Sequence, residues 1–112
     1  MKYEIYQLKR SDETADLRFM SYDWLVRKGL KPEIKNYDKM YKGDIDIESS
    51  FLPAAEFLYY KFNLSIPEDF RGHSLSVSDI VVILDGDEKG CYYCDSVGFV
   101  TLHGFKEVGK DE

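Results

Sequence analysis

The sequence predicts an α+β domain: a mostly antiparallel sheet of about five strands, free to curl towards a barrel, with two helices. Three observations lead there. Lys2 to Lys9 (KYEIYQLK) puts Tyr3 and Ile5 on one side of a strand and Tyr6 and Leu8 on the other. Ile80 to Leu84 (IVVIL) has no polar alternation, which marks a strand covered on both faces. Between them Leu52, Ala55, Tyr59 and Phe62 recur at helical spacing and form one apolar face.

The elements follow in order. Ser11 to Asp16 (SDETAD) is a polar loop, and Leu17 to Met20 reads as extended. A helix begins at Ser21, which can cap it, with Asp23 at its positive end and Met20 placed to staple onto Leu25. Gly29 stops it as a left-handed residue, with Leu30 folding back. Pro32 and Asn36 lead to a second strand, Tyr37 to Ile45. The second helix spans Phe51 to Phe62, with Ser49 or Ser50 as cap, Pro53 in its first turn and Asn63 as a stop. Leu64 to Gly72 is an irregular loop. Ser76 to Asp79 has capping-box spacing, with Asp in place of Glu, and reads as a single helical turn launching Ile80 to Leu84. Asp85 to Gly90 is a hairpin loop, Cys91 to Ser96 the return strand, and Gly98 a break before a last strand, Phe99 to Leu102. The expected core is Trp24, Leu25, Leu52, Ala55, Phe62, Ile80, Val82, Ile83 and Phe99. Residues 1–105 form a single domain and residues 106–112 a charged tail.

A chain of 112 residues makes one domain, and a domain of this size buries roughly two thirds of its unfolded surface. Its net charge of -6 argues against a direct nucleic-acid binder, because phosphate neutralisation needs clustered Lys and Arg. An acidic surface suits solubility or a basic protein partner. No apolar run approaches the ~18 residues needed to span a bilayer. The N-terminus alternates rather than forming an export signal, so the expected compartment is the cytoplasm, with Cys91 and Cys94 as free thiols.

Several segments carry the letters of a chemical site. Cys91-Tyr92-Tyr93-Cys94 is a C-x-x-C, but residues three apart on a strand point to opposite faces, and a structural zinc wants four ligands. No metal and no cofactor are expected. His73, Ser74, Ser76, Ser78, Asp79 and Asp95 contain the letters of a hydrolytic triad without a nucleophile elbow. The plainer reading makes His73, Ser76, Ser78 and Asp79 a structural turn. Gly104 to Lys110 matches phosphate-loop spacing, but Asp111 stands where Ser or Thr is required. Asp85-Gly86-Asp87 opens like a calcium loop, yet Ser96 occupies the position of the closing carboxylate. Arg71 beside Asp69 reads as a surface ion pair. The nine tyrosines exceed what a core explains at once, and an aromatic interaction surface fits them.

Pro67-Glu68-Asp69-Phe70-Arg71-Gly72-His73-Ser74-Leu75-Ser76-Val77-Ser78-Asp79-Ile80-Val81, followed by Tyr92-Tyr93-Cys94-Asp95-Ser96-Val97-Gly98-Phe99, resembles the YodL-like domain family. The resemblance extends upstream through Tyr37-Asp38, Tyr41 and Phe62-Asn63 and covers about Tyr3 to Phe105. It implies a bacterial protein from a Firmicute mobile genetic element, whose relatives occur alone and as modules of conjugation- or phage-associated proteins. It carries over no catalytic residues. It implies interference with a host process through protein binding, with the bacterial cytoskeleton among the targets.

The expected function is therefore a non-enzymatic interaction module, an inhibitor or adaptor that binds a host protein. An antidefence role, anti-CRISPR or anti-restriction, would present Asp44, Asp46, Glu48, Asp85, Asp87 and Glu88 in place of DNA phosphates. The expected binding residues are Asp85, Asp87, Glu88, Tyr59, Tyr60 and Tyr92. The alternative is a small-molecule binder or hydrolase-like enzyme centred on His73, Asp79 and Asp95.

Overall fold

The computed structural model describes residues 1–46 and 52–108. These residues include five strands: β1 (Lys2–Leu8), β2 (Tyr37–Asp44), β3 (Ile80–Ile83), β4 (Gly90–Cys94) and β5 (Phe99–Leu102). Two helices accompany them, α1 (Tyr22–Arg27) and α2 (Ala54–Leu64). The α+β expectation holds. The strands lie in the order β2-β1-β3-β4-β5, every neighbouring pair antiparallel. The sheet is open, with β2 and β5 at its edges. β2 and β3 both flank β1, so the connection carrying α2 crosses over β1, a split arrangement.

The alternation of β1 sets the layering. Tyr3 and Ile5 join Val81, Ile83 and, from α2, Ala54, Ala55, Leu58 and Phe62, closed over by Phe70 and Leu75. Tyr6 and Leu8 join Ile80, Val82, Cys91, Tyr93 and Leu102 beneath Leu25, Tyr37 and Phe105. All four β3 residues are fully buried, as an apolar run between two layers requires. Most tyrosines are spent here. Tyr3, Tyr41, Phe62 and Phe70 form one aromatic group, edge-on except for the stacked Tyr3–Tyr41 pair, and Tyr6, Tyr37 and Phe105 form an edge-on group of their own.

Local signals explain α1. Ser21 is extended (φ -67°, ψ 157°) and its hydroxyl accepts from Trp24 N at 3.2 Å. At the other end Gly29 has φ +70°. Leu30 N donates to Leu25 O at 2.8 Å and Gly29 N to Val26 O at 3.0 Å, a Schellman pair. With six residues α1 buries only Leu25. Trp24, expected in the core, is half-buried with the Lys28 ammonium 5.9 Å from its ring centre.

Four expectations are corrected. Residues 17–20 are not extended: a 3₁₀ turn, Ala15–Leu17, precedes an extended Arg18 and a left-handed Phe19 (φ 62°). The second helix starts at Ala54, so Leu52 lies before its first turn and is 40% exposed, and Leu58 takes its place in the core. Ser76 to Asp79 is a β-turn, not a helical one. Asp79 N donates to Ser76 O at 3.0 Å, and Ser78 has φ 85°, which no helix continues. Phe99 is half-buried, edge-on to Tyr59, rather than central. Ser49, Ser50, Phe51 and Glu48, and the tail from Gly109, lie outside the described residues.

Two further charges are internal. Glu4 is buried on β1, with Lys106 Nζ at 2.7 Å, Tyr6 Oη at 2.9 Å and Lys39 Nζ at 3.1 Å. Burial works to raise its carboxyl, but these three donors outweigh burial and hold it below its ordinary value. Lys106, the first residue of the expected tail, is thereby fastened to the sheet.

Candidate functional site

The Gly72–Asp79 segment is pinned to the end of β1. Position 7 faces the α2 layer, and a glutamine stands there where the alternation calls for an apolar residue. Gln7 Nε2 donates to His73 O at 2.8 Å and to Asp79 Oδ2 at 3.0 Å. Asp79 Oδ2 also accepts from Ser76 N at 2.8 Å, which is the reach-back half of the expected capping box. Gly72 is required by space: a Cβ there would stand 2.1 Å from Gln7 Oε1 and 2.8 Å from the Phe70 ring. Ser78, strained at positive φ, is held on three sides. Its N–H donates to Cys94 O at 2.9 Å, its carbonyl accepts from Tyr37 Oη at 2.7 Å, and its Oγ accepts from Phe19 N at 3.2 Å. Asn63, at the end of α2, donates through Nδ2 to Tyr59 O and Leu75 O and ties the helix to the same segment.

The structure brings His73 and Asp79 together, with Nδ1 3.8 Å from Oδ2. His73 Nδ1 is 2.7 Å from Ser74 O, so it carries its proton towards that carbonyl and serves the turn. Asp79 is buried, and burial pushes its carboxyl up to about 7 against the opposing pull of the Ser76 amide, His73 and Gln7. Asp95 is not part of this pair. It lines a different cavity, and its Oδ1 accepts from Tyr22 N at 3.0 Å and Ser96 N at 2.8 Å, tying the start of α1 to the β4–β5 loop. His73, Ser76, Ser78 and Asp79 thus form one interlocked turn.

A cleft opens beside it. One cavity of about 160 Å³ is lined by Leu8, Arg10, Arg18, Phe19, His73, Ser78 and Asp79. The sequence reading missed Gln7, Arg10, Arg18 and Phe19. A polar Gln inside a buried strand was the one local signal available.

The second cavity, of about 170 Å³, lies between α2 and the β4–β5 loop. Its walls are Tyr59, Tyr60 and Phe99, with the carboxylates of Glu56 and Asp95. Glu56, Tyr60 and Leu64 recur every four residues, so they share one stripe of α2. Tyr60 is 49% exposed and stands edge-on to Tyr59, and Val97, in the facing loop, is 90% exposed. Of the expected tyrosines, Tyr59 and Tyr60 are therefore in one pocket. Tyr92 is not with them: it packs on the inner side of the α2 layer, and its hydroxyl donates to Glu88 O.

Asp85 and Glu88 of the acidic hairpin hold the fold. Asp85 Oδ1 accepts from Lys2 N at 3.0 Å, and both Glu88 oxygens accept from Ala54 N at 3.1 Å, capping α2 from across the molecule. Asp87 is exposed. Asp44 takes the Met1 ammonium at 3.1 Å, so Asp44 and Asp85 each bond to a residue at the start of β1. Asp69 accepts from Tyr41 Oη at 3.0 Å rather than pairing with Arg71.

Cys91 and Cys94 are free and buried, and burial raises both thiols, Cys94 to about 12. Among the described residues no group of three or more His, Cys, Asp or Glu is arranged to hold a metal ion. No helix there is long and apolar enough to cross a membrane.

An open antiparallel sheet layered on both faces, with the Gly72–Asp79 turn locked onto β1, defines a small α+β domain. The family model of the YodL-like domain matches residues 2–105. The chain belongs to the YodL-like domain family. No curated protein and no solved structure matches it.

Proposed function

We propose that this chain is a non-enzymatic interaction module, an inhibitor or adaptor that engages a basic segment of a host protein. The pocket between α2 and the β4–β5 loop carries this reading. Aromatic faces from Tyr59, Tyr60 and Phe99 beside the carboxylates of Glu56 and Asp95 suit an arginine or lysine side chain, through cation–π contact and charge. Exposed Val97 and Leu64 supply an apolar rim. The net charge of -6 would steer a basic partner to it. An antidefence or cytoskeletal target falls within this class, in a cytoplasmic setting. The interlocked state of His73 and Asp79 favours a structural turn over a hydrolytic pair.

The test is an NMR titration of the ¹⁵N-labelled protein with an arginine- and lysine-rich decapeptide. The reading expects saturable shifts at Tyr59, Tyr60, Ser96 and Phe99, and none with a glutamate-rich decapeptide of equal length. Shifts elsewhere only, or none, would overturn it.

A further inference from the structure

We infer that the cleft at the C-terminal end of β1 is a binding site for a phosphate group, free or carried on a small organic molecule. Two cavities meet there, of about 160 and about 460 Å³, sharing Leu8, Arg10 and His73. Arg18 lines the first and Arg71 the second. Three guanidiniums, two from the β1–α1 connection and one from the segment after α2, thus line two adjoining cavities with one imidazole, in a chain whose net charge is -6. Among the described residues no carboxylate lies within ion-pairing distance of Arg10, Arg18 or Arg71. Arg18 is aimed by one hydrogen bond to Lys9 O at 3.3 Å, which leaves the rest of its fork unused. Planar forks of this kind match phosphate oxygens two at a time.

The carboxylates that face the cleft do not cancel it. Asp38 lines the larger cavity and is exposed to water. Asp79 is buried and already accepts from Ser76 N and Gln7 Nε2. The backbone beside the arginines is strained. Phe19 and Ser78 are the two non-glycine residues of positive φ in the described chain, and both line the smaller cavity, joined by Phe19 N–H to Ser78 Oγ. Strained backbone of this kind clusters at ligand sites. Here it presents the Phe19 ring, 63% exposed and 6.4 Å from His73, at the cavity mouth. An apolar ring beside a cationic cleft suits a phosphate attached to a flat organic group.

The experiment is a ¹⁵N NMR titration with inorganic phosphate, and separately with adenosine monophosphate, at ionic strength held constant with sodium chloride. The inference expects saturable shifts at Arg10, Arg18, Phe19, His73 and Ser78 with a millimolar Kd. Arg10→Gln and Arg18→Gln should each weaken binding about ten-fold, the loss of one charge-assisted contact. Lys35→Gln should leave it unchanged. Tighter binding of the nucleotide identifies an organic phosphate as the ligand class, and equal binding identifies the phosphate alone. Arg10 makes no contact that the fold depends on, so its variant stays interpretable. Shifts that fail to saturate, or wild-type affinity retained in both arginine variants, would overturn the inference.

Discussion

Replacing Asp79 with asparagine isolates the buried carboxyl at the centre of the turn. The side chain keeps its shape and can still accept from Ser76 N and Gln7 Nε2, but it no longer ionises. Burial raises the folded-state carboxyl from 3.8 to about 7. Between those two values the folded protein holds a proton that the unfolded chain has released. Stability therefore falls as pH rises through that window, and is level above it. The full span corresponds to roughly 4 kcal/mol, and discounting for the nearby His73 leaves about 2–4 kcal/mol. Asp79→Asn removes that slope, and Tyr37, Tyr93 and Cys94, which the Asp79 charge also pushes up, titrate above the window. Urea unfolding followed by Trp24 fluorescence, for both proteins from about pH 4 to about pH 8, gives the difference directly. The gap between variant and wild type should move by that amount in the variant's favour. Parallel curves would show that Asp79 stays ionised, held by the Ser76 amide and Gln7, and would refute the reasoning.

Glu88→Ala should cost about 1 kcal/mol by urea unfolding, because it strips the cap from α2, whereas Asp87→Lys should leave the midpoint unchanged. Gly72→Ala should destabilise the domain by about 1–3 kcal/mol, since its Cβ meets Gln7 Oε1 at 2.1 Å, and Gln7→Ala in the same chain should recover part of the loss. Cys91 and Cys94 should react with a thiol reagent only on unfolding, because both are buried and stay protonated; rapid labelling of the native protein at neutral pH would contradict the structure.

The sequence was most legible where one local rule decides the outcome. Ser21 caps α1 and Gly29 ends it because each answers a need within a single turn. The alternation of β1 and the unbroken run of β3 announced a sheet covered on both faces. The second helix was misplaced because its cap is not local. Pro53 has no side-chain cap to offer, and Glu88, 34 residues beyond Ala54, supplies the acceptor. Ser76 to Asp79 has the letters of a capping box, and its carboxylate does reach back. What the letters do not carry is the left-handed Ser78, fixed by Cys94, Tyr37 and Phe19 from three other segments. The arginine cleft was invisible for the same reason: positions 10, 18 and 71 form no motif, and only the topology assembles them. The pocket at α2 was half legible. Tyr59 and Tyr60 could be singled out, while Glu56 and Phe99 needed the packing of α2 on the β4–β5 hairpin. Tyr92 and Glu88 are tied into the fold instead: the Tyr92 hydroxyl donates to Glu88 O, and the Glu88 carboxylate accepts from Ala54 N.

Quantitative affinity capture from a bacterial lysate, run in parallel on three forms of the protein, bears hardest on the interaction reading. The forms are the wild type, a Glu56→Gln, Tyr60→Ser double variant, and Arg10→Gln. Both altered α2 side chains lie at the surface of the pocket, and thermal melting establishes that the double variant is folded. The wild type should enrich a protein that the double variant loses and Arg10→Gln retains, and its binding should weaken as salt rises above ~0.15 M, where screening shortens to about 8 Å. Recovery of the same proteins by all three forms, with no dependence on salt, would contradict a basic partner seated against Tyr60 and Glu56.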